Sequence, residues 1–193
     1  GENIVHCMSL SKAGLPGERL GIAIGNPAII HVLECFLTNF CIHSSRYGQA
    51  IAARAIASGA LADVSETVIR PYYQDKFQVL EAALQQAMPD DVPWYLHRGE
   101  GAIFAWIWFD QLPITDQELY QHLKQRGVIV VPGNPFFPGI REDWSHTQQC
   151  LRISLTASNE DLTQAMQQLG ELVRDVYRSA VPGTGVATAV VWG

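Results

Sequence analysis

Apolar residues in the first half of the chain switch between short continuous runs and helical spacing, and each switch marks a predicted element. Ile4-Val5-His6-Cys7-Met8 reads as a short buried strand, and Leu20-Gly21-Ile22-Ala23-Ile24-Gly25 as a second. Between them lies a turn-rich loop, Ser9 to Arg19, holding Gly14, Pro16 and Gly17. Two such strands joined by a glycine-bearing loop suit the interior of an α/β sheet. Pro27 fits the first turn of a helix, which Ile29, Ile30, Leu33, Phe36, Leu37 and Phe40 continue at helical spacing. A polar break from His43 to Gly48 precedes an alanine-rich helix over Gln49 to Ser58. Helical spacing resumes from Leu61 to Met88, where Pro71 is expected to kink or divide the run. Pro89-Asp90-Asp91 ends it and sets the expected domain boundary, giving units at 1–89 and 90–180.

Beyond that boundary the pattern changes. Trp94 to His97 is a short strand, Arg98-Gly99-Glu100-Gly101 a turn, and Ala102 to Phe109 an aromatic-rich strand. Thr115 with Glu118 at N3 forms a capping-box pattern for a helix running to Arg126. Val128 to Val131 reads as a strand, Pro132 to Gln148 as a long loop, and Cys150 to Leu155 as a strand. Ser158 stands three before Asp161 at the start of a last helix ending near Arg178. The order predicts a small α+β layer with helices on one face of a sheet. Residues 181–193 are rich in Gly, Ala, Val and Thr and read as a frayed tail.

Composition narrows the class. With 48% hydrophobic and 17% charged residues the chain is globular rather than disordered, and 193 residues suffice for one medium domain or a small one plus part of another. The net charge of −6, with no stripe of Lys and Arg, argues against nucleic acid as a partner. Cys7, Cys35, Cys41 and Cys150 form no Cys-x-x-Cys pair, which argues against zinc and fits a reducing, cytoplasmic compartment. No apolar run reaches the ~18–20 residues of a membrane helix, and the N-terminus lacks the pattern of a signal peptide. Gly1-Glu2-Asn3 leads at once into an apolar run, as expected of a chain cut inside a longer protein.

The densest chemistry is the run Ser9-Leu10-Ser11-Lys12-Ala13-Gly14-Leu15-Pro16-Gly17-Glu18-Arg19. A phosphate-bearing aldehyde cofactor needs a rigidly presented amine and donors for a dianion: hydroxyls, loop N–H groups and an arginine fork. All are present here. Taken alone, Ser-x-Ser-Lys is more often a surface turn with a solvated lysine. Ser9-x-x-Lys12 also matches the spacing of serine β-lactamases, but their Ser-Asp-Asn and Lys-Thr-Gly elements are missing. Further on, Arg152 is a lone cation among Cys150, Leu151, Ile153 and Leu155. Arginine suits a bidentate carboxylate contact, and an outward strand arginine in water is the equal alternative.

Ser9-Leu10-Ser11-Lys12 followed by Leu15-Pro16-Gly17-x-Arg19-x-Gly21 resembles the lysine motif of the class I/II aminotransferases of fold type I. Cys7-Met8 before it is similar to the valine–pyruvate branch of that family. So are Ser65-Glu66-Thr67-Val68-Ile69-x-Pro71-x-Tyr73, Glu100-Gly101-Ala102-Ile103-Phe104, Phe136-Phe137-Pro138-Gly139 and His146-Thr147-x-Gln149-Cys150-x-Arg152. The resemblance implies an α/β chain forming the C-terminal part of the enzyme: the end of the large-domain sheet, interdomain helices and a small α+β domain. It implies pyridoxal 5′-phosphate as cofactor, with Lys12 as its Schiff-base lysine and the carrier of the proton between substrate Cα and cofactor. Ser9 and Arg19, with Ser11 a lesser contributor, would hold the phosphate, and Arg152 the substrate α-carboxylate. The implied reaction moves an amino group between an aliphatic L-amino acid (valine, alanine) and a 2-oxo acid (pyruvate, 2-oxoisovalerate) in a homodimer.

The family places an Asp for the cofactor's ring nitrogen upstream of the lysine, and none of the residues before Lys12 is Asp. The isolated chain is therefore expected to lack activity. Two other readings stay open: a transaminase of different specificity, and the aminotransferase-like ligand domain of a transcriptional regulator. Arg46 reads as a solvated loop residue or a contributor to a neighbouring subunit's site. Gly101 reads as a turn glycine or a point of close approach to substrate. Phe136 and Phe137 read as packing anchors or pocket lining. Trp94, Trp106, Trp108, Phe104 and Phe109 read as core or sheet-face residues, and His43, His97 and His146 lack metal-ligand spacing.

Overall fold

The computed structural model describes residues 2–100 and 103–180. The expectations for Gly101, Ala102 and residues 181–193 lie outside the described residues. The chain divides into two compact units, Gly1–Pro71 and Tyr72–Gly193.

In the first unit, β1 (His6–Ser9) and β2 (Gly21–Ile24) pair antiparallel, with Ser9 opposite Gly21 and His6 opposite Ile24. The sequence predicts buried strands here. The structure instead leaves β1 exposed throughout and only Ile22 of β2 partly covered. Each strand has the other as its sole partner among the described residues, so the apolar runs gain pairing without a covering layer. α1 (Pro27–Cys41) starts where Pro27 predicts, with the Asn26 side chain accepting the Ala28 N–H at 2.9 Å. Its apolar stripe is exposed, and Phe36 stacks on Phe40 at 4.4 Å between ring centroids. α2 (Arg46–Ala57) begins earlier than predicted because Ser45 caps it, accepting the Gly48 N–H at 3.2 Å. Arg46 is thus a helical rather than a loop residue. Leu10, Leu20 and Ala52 form this unit's small core.

The expected break at Pro71 is a π-helical turn, Ser65–Ile69, between α3 (Ala60–Val64) and α4 (Arg70–Ala87). Proline lacks an N–H and its ring crowds the carbonyl four residues back. Widening the preceding turn, with the Arg70 N–H bonded to the Ser65 carbonyl, accommodates both effects.

The division falls after Pro71, not at Pro89 to Asp91, because Leu80, Ala83 and Leu84 of α4 are buried in the second unit's core. That unit is built on β3 (Trp94–Leu96), β4 (Phe104–Phe109), β5 (Val131–Pro132) and β6 (Cys150–Ser154), in the antiparallel order β3-β4-β6-β5. Burial alternates along β4, as a one-sided sheet requires. Ala105, Ile107, Phe109, Leu151 and Ile153 face the helices: α4, α5 (Asp116–Gln125) and α6 (Asn159–Ala180). Thr115 and Glu118 form the predicted capping box on α5, and Ser158 accepts the Asp161 N–H at 3.0 Å at the start of α6.

The strand predicted at Val128 to Val131 shrinks to Val131–Pro132. Gly127, at φ +80°, ends α5, and the Val128 N–H donates to the Leu123 carbonyl at 2.9 Å. This helix-ending motif consumes a donor that strand pairing would use. The long loop that follows holds two 3-10 turns, Asn134–Phe136 and Ser145–Gln148.

Candidate active site

The lysine loop is organised by its own polar groups. Ser9 ends β1 and caps a 3-10 turn, Leu10–Ala13, its Oγ accepting the Ser11 N–H at 3.3 Å. Lys12 lies exposed in that turn. Gly14 closes it at φ +105°, a conformation that strains any side chain, and donates its N–H to the Leu10 carbonyl. The Leu10 N–H donates to the Leu20 carbonyl at 3.1 Å, and both leucine side chains are buried, so the base of the loop is anchored. Arg19 holds φ +51°, which is uncommon outside glycine, and its Nη1 donates to Ser11 Oγ at 3.1 Å. Glu18 is engaged elsewhere, accepting from Ser45 Oγ at 3.2 Å. The loop thus joins Ser9, Ser11 and Arg19 by hydrogen bonds around the turn that carries Lys12. Hydroxyls, a guanidinium and loop N–H groups are the donor set an anion such as phosphate takes.

Arg152 lies in the second unit. On β6 it pairs with Trp106 of β4 and Val131 of β5, between the buried Leu151 and Ile153, so it points to the sheet face opposite the helices. It is not an arginine extended into water. Its Cζ lies 4.2 Å from the Phe104 ring centroid and 4.7 Å from that of Phe136. Its Nε is buried with no hydrogen-bond partner among the described residues.

Phe136 is delivered by the turn Asn134–Phe136, which is tied down by two bonds at its N-terminal end. The buried Asp116 carboxylate accepts the Asn134 N–H at 2.7 Å, and the Gly133 N–H donates to the Cys150 carbonyl at 2.8 Å. A Cβ on Gly133 would sit 2.5 Å from Cys150 Cβ, so only glycine permits this approach. The remaining aromatics continue across the same face. Trp106 meets Phe136 and Phe137 edge-on, and His146 stacks on Trp144 and meets Trp108 and Phe137. Burial pushes the Cys150 thiol up to about 11; the Trp106 contact opposes this and the Asp116 charge adds to it.

Sequence reasoning singled out Phe136 without its contact to Arg152, and it missed Asp116 altogether. Asp116 reads as an ordinary first-turn acid of α5. Its burial arises only where a loop folds over that helix end, and no local pattern signals that.

The class I and II aminotransferase model matches residues 1–169. The valine–pyruvate aminotransferase of Escherichia coli (strain K12) is 42% identical over 175 residues, covering 91% of this chain and 42% of that relative. The crystal structure of valine-pyruvate aminotransferase AvtA from Salmonella typhimurium LT2 matches with TM-score 0.80 and 38% identity, over 92% of this chain and 46% of that one. A putative amino-acid aminotransferase from Psychrobacter arcticum 273-4 matches with TM-score 0.80 and 36% identity, covering 92% and 41%. The chain therefore spans less than half the length of these relatives, and its fold is that of the C-terminal part of a fold type I aminotransferase. The family model matches most of the sequence, and this chain therefore belongs to the class I and II aminotransferases.

Proposed function

We propose that this chain carries the lysine and substrate-carboxylate halves of a pyridoxal-phosphate transaminase site. In this reading the whole protein moves an amino group between an aliphatic L-amino acid, valine or alanine, and a 2-oxo acid, pyruvate or 2-oxoisovalerate. It works in the cytoplasm as a homodimer. The observation that carries the reading is the hydrogen bond from Arg19 to Ser11, which draws two of the three proposed phosphate donors together in the lysine loop. The donor set fits the cofactor's phosphate end: two hydroxyls and a guanidinium, with the neighbouring Glu18 carboxylate engaged by Ser45.

Pyridoxal phosphate, when bound, supplies a carbonyl for the substrate amine and an electron sink for the carbanion. The protein's own residues do the rest. Ser9, Ser11 and Arg19 would hold the phosphate. Lys12 would hold the cofactor through its Nζ, and its free amine would move a proton at the substrate Cα. Arg152 orients the substrate by its α-carboxylate. In this reading the acidic partner of the ring nitrogen is an Asp, and none precedes Lys12 in these 193 residues, so the isolated chain is expected to show little or no turnover.

Borohydride reduction after incubation with pyridoxal phosphate, followed by peptide mass mapping, tests the assignment. The chain has three lysines, Lys12, Lys76 and Lys124, and Lys12 is expected to take the phosphopyridoxyl mass preferentially. Equal labelling of Lys124 would count against a formed site. An absorption band that bleaches with L-valine in the isolated chain would overturn the claim of incompleteness.

A further inference from the structure

We propose that Phe104 and Phe136 are positioning residues that hold the Arg152 guanidinium so that it offers its two terminal nitrogens, end-on, to one planar carboxylate. The inference rests on the reading of Arg152 as the substrate-carboxylate arginine and adds how that arginine is aimed. Three observations converge on it. First, the guanidinium carbon lies over two phenyl rings, at 4.2 and 4.7 Å from their centroids, well inside the range of cation–π attraction. Second, the Nε is buried and has no hydrogen-bond partner among the described residues. A group held this way cannot donate sideways through Nε, which leaves the Nη pair as its accessible donors. Third, the rings reach Arg152 from independent supports. Phe104 stands on β4, one pleat along from Trp106, the residue opposite Arg152. Phe136 stands on a turn pinned by Asp116 and by the close approach of Gly133 to Cys150. A buried donor left unpaired is unfavourable, and two cation–π contacts offset it.

The consequence is selectivity. A freely rotating arginine meets carboxylates, phosphates and dicarboxylates in many geometries. One restrained between aromatic rings favours a single fork, and the rings around it give no second charge to pair with another anionic group. Held so, the guanidinium favours a planar carboxylate over a tetrahedral oxyanion.

The test reads the guanidinium directly. In the 193-residue chain, nitrogen and carbon NMR of Arg152 measures rotation about its Nε–Cζ bond, and ligand-observed NMR measures affinity for 2-oxoisovalerate. Phe104→Leu and Phe136→Leu are each expected to speed the rotation and weaken binding, by about two- to thirtyfold. Phe136→Tyr, which keeps the ring, is expected to restore both, and circular dichroism checks that all variants are folded. If both leucine variants leave rotation and affinity unchanged, the rings do not position Arg152 and the proposal fails. If rotation quickens while affinity holds, the contact is structural only and the proposal also fails. Arg152→Lys separates the underlying reading: undiminished affinity there would show that Arg152 does not hold the carboxylate at all.

Discussion

Arg19 and Ser11, eight residues apart, are joined side chain to side chain at 3.1 Å, and the backbone of Arg19 takes a left-handed conformation. The bond closes the lysine loop on itself. Under the proposed function, an incoming phosphate would meet an arginine already oriented, so less ordering entropy would be lost on binding.

Arg19→Ala removes the one guanidinium of that loop. Charge-assisted hydrogen bonds contribute roughly 1.5–3 kcal/mol, so pyridoxal-phosphate affinity in the whole protein should fall about ten- to hundredfold. A fluorescence titration measures it. Arg19→Lys should recover part of the loss through charge alone, without the fork.

Cys150 is fully buried, whereas Cys7, Cys35 and Cys41 are exposed. A thiol reagent at pH 8 should therefore modify three thiols quickly and Cys150 only on unfolding. Burial raises the Cys150 pKa from 9.0 to about 11. The folded state thus holds the proton more tightly than the unfolded one. The resulting stability is fully present below pH 9 and is lost as pH rises through about 11. Urea midpoints measured from pH 8 to 11 should decline, and more shallowly in Cys150→Ala.

Glu118 titrates in the opposite sense. The Thr115 backbone N–H and hydroxyl, both donating to its carboxylate, hold its pKa below the usual value. The cap's contribution is present above the unfolded carboxylate pKa and fades as pH falls through the folded one. Thr115→Ala should cost about 1 kcal/mol at pH 7, and the gap from the parent should narrow in acid. Chemical denaturation at pH 7 and pH 3 tests both statements.

Gly170, in the middle of α6, packs against the end of α4. A Cβ there would collide with the Ala87 carbonyl and lie 3.1 Å from the Ala87 Cβ. Gly170→Ala should destabilise the second unit by about 1–3 kcal/mol through overpacking, despite alanine's better helix propensity. An unchanged or raised denaturation midpoint would contradict the packing.

Local chemistry alone specified a good deal of this protein. Pro27 and the cap residues Thr115 and Ser158 announced their helices, because a proline presets the first turn and a capping bond spans only three residues. The Ser9-to-Arg19 run gathers hydroxyls, glycines and a guanidinium within eleven residues of sequence, and the structure bonds Arg19 to Ser11. Pro71 announced a break because its ring acts on the preceding turn. What local pattern could not decide was burial and pairing between distant segments. The runs at Ile4–Met8 and Leu20–Gly25 look buried by composition, yet only the fold reveals that β1 and β2 pair with each other and stay exposed. Val128 to Val131 has strand composition, but the ending of α5 claims its first donor. Arg152 was equally consistent with water or with a site. Its place between Phe104 and Phe136 depends on Asp116 and Gly133 bringing a loop across the sheet. These are contacts between residues far apart in sequence, and their energies exist only once the chain has closed on itself.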